Sequence, residues 1–447
     1  MTTAAPTDLA RGLALAEADP WRFTIQYPPS RDYFREDFCG APDTAALIGA
    51  PRLLVYLHVP FCEARCLYCN FPIDTRRDLA LKKRTVDALV REVESLTARL
   101  PPTTEIPGID IGGGTPTALP VDELVRLVAA LSPLLARSRA RIPLSIETTP
   151  RIAATEPDKL AALAASGVGR VSIGVQTSDP QALAKLNRGA QGSLEERAFR
   201  SITDAGFERV NVDLIFGLPG QTLDSWREDL RKADGLGPDA ITTYDCLYRG
   251  AGRGLGRLSG RPSPELLGEF YDEAFSFLTA RGWRAPYGAL TFSRRAGETG
   301  TSSYFEGRLL DGLPYAGLGC GASSLAGDSW WFAPARLDAW LAAVDGGESI
   351  PVEDSYRLPL GDRAAKYALA SLSFGFLDPS RFETSLGAPL PVVFGDALAA
   401  AADRGWFRET NDRWSIAAGR FGSMPALRAL FYPETALAWL EERRESL

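Results

Sequence analysis

Histidine is almost missing from this sequence: one residue, His58, in 447. That scarcity limits any mechanism needing a histidine base or several imidazole ligands. A basic excess is missing as well. The formal net charge is −7, which leaves no electrostatic footprint for duplex nucleic acid, so no nucleic-acid partner is expected. No apolar run reaches the ~18–20 residues that span a bilayer, and no membrane association is expected. Residues 1–21 lack the basic start and apolar stretch of a secretory leader. The cytoplasm is therefore the expected compartment. In its reducing medium, clustered cysteines more often bind metal or do chemistry than form disulfides. Cysteine is sparse too, six residues in all. Cys39, Cys246 and Cys320 are scattered and read as small buried residues.

The other three stand together. Cys62, Cys66 and Cys69 fall in "YLHVPFCEARCLYCNFP" (56–72) with spacing C-x3-C-x2-C. A structural zinc site takes four ligands, and only His58 is near enough in sequence to complete one. Thiolates ligate the irons of a cubane cluster one each. Three cysteines would hold three irons of a 4Fe–4S cluster and leave the fourth open.

Around this motif the chain alternates. Apolar runs at 52–60, 108–116, 142–150, 170–178, 209–219 and 239–248 read as strands, each followed by a helical pattern. Val86, Leu89, Val90, Val93 and Leu96 mark one face of the first such helix. Six strand–helix units in series predict an α/β fold with a parallel sheet, and ligands gather at the C-terminal ends of such strands. The cysteine motif, Gly112-Gly113-Gly114-Thr115, Glu147, Gln176, Asp213 and the Tyr244-Asp245-Cys246 stretch all fall there. Polar groups converging from all six units favour a partial (β/α)6 barrel over an open sheet. The expected division is an N-terminal arm (1–49), the barrel (50–295), a turn-rich connector closing the site (296–345) and a mostly helical C-terminal domain (346–447), in winged-helix style, with a hairpin near 405–416. The Gly/Arg-rich stretch 249–262 reads as a surface loop; its glycine spacing does not match G-x-G-x-x-G.

The cysteine spacing together with "GGGTP", "SIGVQ", "LNRG", "DLIFGLPGQT" and "GLGCGAS", in that order, resembles the HemN-like branch of the radical S-adenosylmethionine (SAM) superfamily. The resemblance covers about residues 22–330 well. It implies a 4Fe–4S cluster on Cys62, Cys66 and Cys69, with SAM chelated at the open iron and cleaved to a 5′-deoxyadenosyl radical. It places Tyr56, Gly113, Gly114 and Glu147 near the first SAM. It assigns Tyr68, Gly114, Thr115, Gln176, Arg188 and Asp213 to a second SAM, and puts His58 beside the cluster. Asp245 stands where the resemblance calls for a small apolar residue near the first SAM.

Three activities occur in that branch. The heme chaperones carry histidines where this chain has 300–305 "GTSSYF" and 321–324 "GASS". The coproporphyrinogen dehydrogenases differ in the segment after the sixth strand. The remaining class is the class C methyltransferases, in which a methylene radical from a second SAM adds to an sp2 carbon, giving methylation or cyclopropanation. The expectation is therefore a class C enzyme of specialised metabolism. Oxygen-independent coproporphyrinogen III dehydrogenase and non-enzymatic heme chaperone are the alternatives. The expected partners are an aromatic or heteroaromatic small molecule and an electron donor such as flavodoxin or ferredoxin, with the chain acting as a monomer.

Overall fold

The computed structural model describes residues 8–443 apart from 24–26, 29, 190–193, 247, 249–254, 256–258, 286–289 and 411. Most of the Gly/Arg stretch 249–262 thus lies outside the described residues. The six expected strands form: β1 (Leu54–Val59), β2 (Ile109–Gly113), β3 (Leu144–Thr148), β4 (Arg170–Gln176), β5 (Arg209–Phe216) and β6 (Ala240–Asp245). Each neighbours the next in parallel, with helices between them. Their apolar residues are almost wholly buried, as a sheet covered on both faces requires.

The sheet does not stop at the barrel. β7 (Thr291–Ser293) extends it antiparallel past β6. On the other side β8 (Tyr315–Leu318) pairs in parallel with β1. β9 (Ser323–Ala326), β10 (Ser329–Phe332) and β11 (Asp354–Arg357) follow antiparallel, giving eleven strands in the order β11-β10-β9-β8-β1-β2-β3-β4-β5-β6-β7. The segment expected as turn-rich connector therefore holds three strands and the helices Ser303–Leu309 and Leu337–Asp345. The strands and the first of these helices are four to seven residues long, too short to display a period in sequence.

Beyond them lies a helical region with a small sheet made of β12 (Phe376–Leu377), β13 (Phe407–Thr410) and β14 (Arg413–Ile416), the last two being the expected hairpin. The helix Leu9–Ala18 packs against the helices Met424–Ala429 and Glu434–Glu442. Cys246 and Cys320 are buried as expected, but Cys39 is exposed, bridging Tyr356 of the edge strand β11.

One buried carboxylate joins barrel helix to connector. Glu92, on the helix Leu79–Arg99, accepts from Gly319 N at 2.8 Å and from Trp340 Nε1 at 3.3 Å. Burial pushes its carboxyl up to about 7 from an ordinary 4.5. Between those values the folded state holds a proton that the unfolded chain has lost, so stability falls as pH rises through that window. The expected loss is on the order of 2–3 kcal/mol between pH ~4.5 and ~7, at about 1.4 kcal/mol per pKa unit. Glu92→Gln should flatten that slope in urea melts taken across the window; an unchanged slope would exclude Glu92 as its source.

Candidate active site

Side chains alternate along a strand, so every second residue of β1–β6 points into the barrel. Tyr56, Asp110, Ser145, Glu147, Arg170, Ser172, Asp213, Thr242 and Tyr244 all line one cavity of about 1310 Å³. Cys62, Cys66 and Cys69 line the same cavity from the loop after β1. The structure thus brings every sequence-predicted site residue to one space, Tyr68, Gly113, Gly114, Thr115, Gln176, Arg188 and Asp245 included.

The thiols sit on a tightly tied loop. Cys62 N donates to Asp74 O at 3.0 Å, and Cys69 N to Cys66 O at 3.1 Å. Cys62 Sγ lies 3.7 Å from Thr115 Oγ1. Arg188 Nη1 reaches Cys66 Sγ at 3.6 Å and Tyr68 Oη at 2.7 Å. Burial pushes the Cys62 thiol up to about 11, which bound metal would reverse. Among the described residues no three Cys, His, Asp or Glu side chains converge on a point that would hold a single metal ion. A 4Fe–4S cluster would take one iron on each of the three thiolates.

The glycines at the end of β2 are also required by packing. Gly114 N donates to Val59 O and Thr115 N to Phe61 O, at 2.9 and 2.7 Å. A Cβ on Gly114 would meet the carbonyls of Pro60 and Phe61 at 2.7 Å. Gly113 has φ +111°, and its Cβ would strike the His58 ring at 2.7 Å. These residues let β2 close against the cysteine loop and His58. The His58 ring is fully engaged. Nε2 donates to Pro72 O at 2.8 Å, which leaves Nδ1 to accept from the Tyr56 hydroxyl at 3.5 Å. Burial holds the imidazole down at about 4, so it is neutral.

On the opposite wall, Gln176 has φ +72°, where β4 and β5 slip register between Gly174 and Gln176. A left-handed glutamine is strained, a feature that concentrates at functional sites. Arg188 Nη2 donates to Gly174 O, and a Cβ at Gly174 would meet Gln176 Nε2 at 2.7 Å. Asp213 accepts from Ser172 at 2.6 Å and from Asn211 at 2.8 Å. Glu147 is half-buried, and desolvation, then Asp213 and Asp110, push its carboxyl up to about 8. Asp245 is already occupied: its Oδ2 accepts from Tyr271 at 2.9 Å and from Arg428 at 3.0 Å. The departure from the small apolar residue expected there is met by a cation from the C-terminal helices.

Asp110 escaped the sequence reasoning. It accepts from Ser302 at 2.7 Å, its other oxygen has no partner among the described residues, and burial pushes it up to about 6. Arg170, Ser172 and Asn211 were missed as well. The alternation of polar residues along each strand was the signal that would have found all four.

Comparison with known proteins gives a consistent picture. The profile of the radical SAM superfamily matches residues 56–233. The chain is 29% identical over 307 residues to anaerobilin synthase of Escherichia coli O157:H7, covering 66% of each protein. It is 31% identical over 327 residues to the heme chaperone HemW of Mycobacterium tuberculosis, covering 71% of this chain and 80% of that one. It is 26% identical over 405 residues to the oxygen-independent coproporphyrinogen III oxidase of Synechocystis, covering 85% and 83%. The solved coproporphyrinogen III oxidase HemN of Escherichia coli superposes with a TM-score of 0.74 at 24% identity, over 96% of this chain and 99% of that one. Such relatives overturn the expectation of a class C methyltransferase of specialised metabolism: they are an oxidase, a heme chaperone and a synthase.

Proposed function

Because the chain belongs to the HemN-like branch of the radical SAM superfamily, which works with a 4Fe–4S cluster and SAM, we propose that it is an oxygen-independent oxidase of the coproporphyrinogen type. In this reading it removes carboxylate from the propionate side chains of a tetrapyrrole. The observation that carries it is the cavity. At about 1310 Å³ it exceeds the ~300–1,000 Å³ of ordinary small-molecule pockets. It joins the three thiols to walls supplied by the connector and the C-terminal helices, and the alignment with a coproporphyrinogen oxidase covers 85% of this chain.

The residues divide the work. Cys62, Cys66 and Cys69 would hold the cluster. When bound, cluster and SAM supply hydrogen-atom abstraction, the hard part of the chemistry. Glu147 is placed to accept hydrogen bonds from ribose hydroxyls. Tyr56 closes the cavity above His58, and its ring stands 5.8 Å from that of Tyr304. Thr115, Gln176, Arg188 and Asp213, with Tyr68, form the wall assigned to a second SAM. The heme-chaperone reading has less support: the sole histidine spends Nε2 on Pro72 O and offers no free imidazole to an iron.

Anaerobic incubation with dithionite, SAM and coproporphyrinogen III tests the assignment. The expected products are 5′-deoxyadenosine, methionine and carbon dioxide, with the tetrapyrrole losing the mass of its carboxyl groups. Tight heme binding with no SAM cleavage would replace this reading with the chaperone.

A further inference from the structure

The cavity has a second lobe that the thiols and the SAM-binding wall leave unused. Its walls are Tyr304 and Arg308 from the helix Ser303–Leu309, Tyr315 on β8, Trp330 on β10, and Arg363 and Lys366 from the helix Leu360–Leu372. Arg363 and Lys366 are three residues apart and share one face of their helix. The Arg308 guanidinium lies 4.4 Å over the Tyr315 ring and donates to Tyr304 Oη at 3.3 Å. Lys366 Nζ lies 4.1 Å over the Trp330 ring and donates to Tyr27 O at 3.3 Å.

Among the described residues, neither Arg308 nor Lys366 forms an ion pair. Both are half-buried, and beyond those two hydrogen bonds each is met chiefly by an aromatic face. The Tyr315 phenol registers the surplus. Burial pushes it up, but Arg308 and Lys366, together with Ser323 and Trp330, hold it below its ordinary value. At the barrel end Arg170 and Arg188 face Asp110, Glu147 and Asp213, so the cations there already have acidic partners. An anionic group is attracted to the outer lobe, while Tyr304, Tyr315 and Trp330 offer flat faces to a ring.

We propose that Arg308 and Lys366 are a carboxylate-binding site, which seats a carboxylate arm of a ring-bearing substrate in the aromatic lobe. This rests on the reading above that the same cavity takes the substrate. It adds which residues hold the substrate and which way round it lies.

Four fluorescent or quenching probes test it on the full chain: coproporphyrin III, its tetramethyl ester, 1-pyrenebutyrate and its methyl ester. Each acid is expected to bind at least ~10-fold tighter than its ester, a difference of about 1.4 kcal/mol. Arg308→Met and Lys366→Met should each weaken the acids about tenfold and leave the esters unchanged. Arg308→Lys and Lys366→Arg, which keep the charge, should retain most of the acid's advantage and control for misfolding. Equal binding of acid and ester by the wild type, or methionine variants that weaken both alike, would overturn the site. Acid-dependent binding of pyrenebutyrate with coproporphyrin refused would uphold the site and remove the tetrapyrrole reading. Coproporphyrin binding with no preference for acid over ester would do the reverse.

Discussion

Alanine at any one of Cys62, Cys66 or Cys69 is expected to bring reductive SAM cleavage down to background. The three thiols line a single cavity on one tied loop. In the cluster that the family chemistry calls for, each would hold a different iron. The only histidine is committed to Pro72 O. Anaerobically reconstituted wild type should contain about four irons per chain and show a broad visible band that dithionite bleaches. Each alanine variant should lose the band and the 5′-deoxyadenosine together. A colourless wild type carrying one zinc would refute the cluster and the family chemistry built on it.

The largest expected effect on stability lies away from the thiols. Arg428 is wholly buried and holds Asp245 at 3.0 Å, the Tyr271 hydroxyl at 3.2 Å and Phe23 O at 3.3 Å. Its Nε and Nη2 find no partner among the described residues. Arg428→Met would strand the Asp245 carboxylate in the interior, a loss on the order of 3–5 kcal/mol. Asp245→Asn in the same chain removes the stranded charge, so the double variant should recover part of that loss. Coupling of this kind is expected for residues in direct contact. Urea denaturation of the four proteins measures it. Additive losses in the double variant would mean that the two groups contribute separately.

The sequence carried the barrel well because its strands are buried on both faces and its helices are long enough to show a period. Val86, Leu89, Val93 and Leu96 are buried as their spacing requires, and Val90 flanks them. The connector was illegible for the opposite reason. Its strands and first helix are too short for a pattern, and the strands are held by pairing with β1 and with one another. In the site, residues named by a motif were all found in the cavity. Those that were missed, such as Asp110 and Arg170, are polar residues inside apolar strands, where only the alternation betrays them. Arg308 and Lys366 meet in space from elements some sixty positions apart, and no local spacing signals that. The expected function failed at another level. Motifs fix the cofactor chemistry, whereas the choice among activities was drawn from a few substituted positions. One of these, Asp245, is explained by a partner in the C-terminal helices.

The meeting of the helix Leu9–Ala18 with the helices near Ala429 and Glu441 bears on how the molecule is made. Arg11 pairs with a carboxylate 430 positions away, and a Cβ at Gly12 would strike Ala429 O at 2.8 Å. A chain emerging from the ribosome at ~5–20 residues per second leaves the first helix without its seat for roughly 20–90 s. During that interval the buried face of Leu15 and Ala16 is uncovered, so the nascent chain carries an exposed apolar stripe of the kind that chaperones hold until synthesis brings the matching surface out.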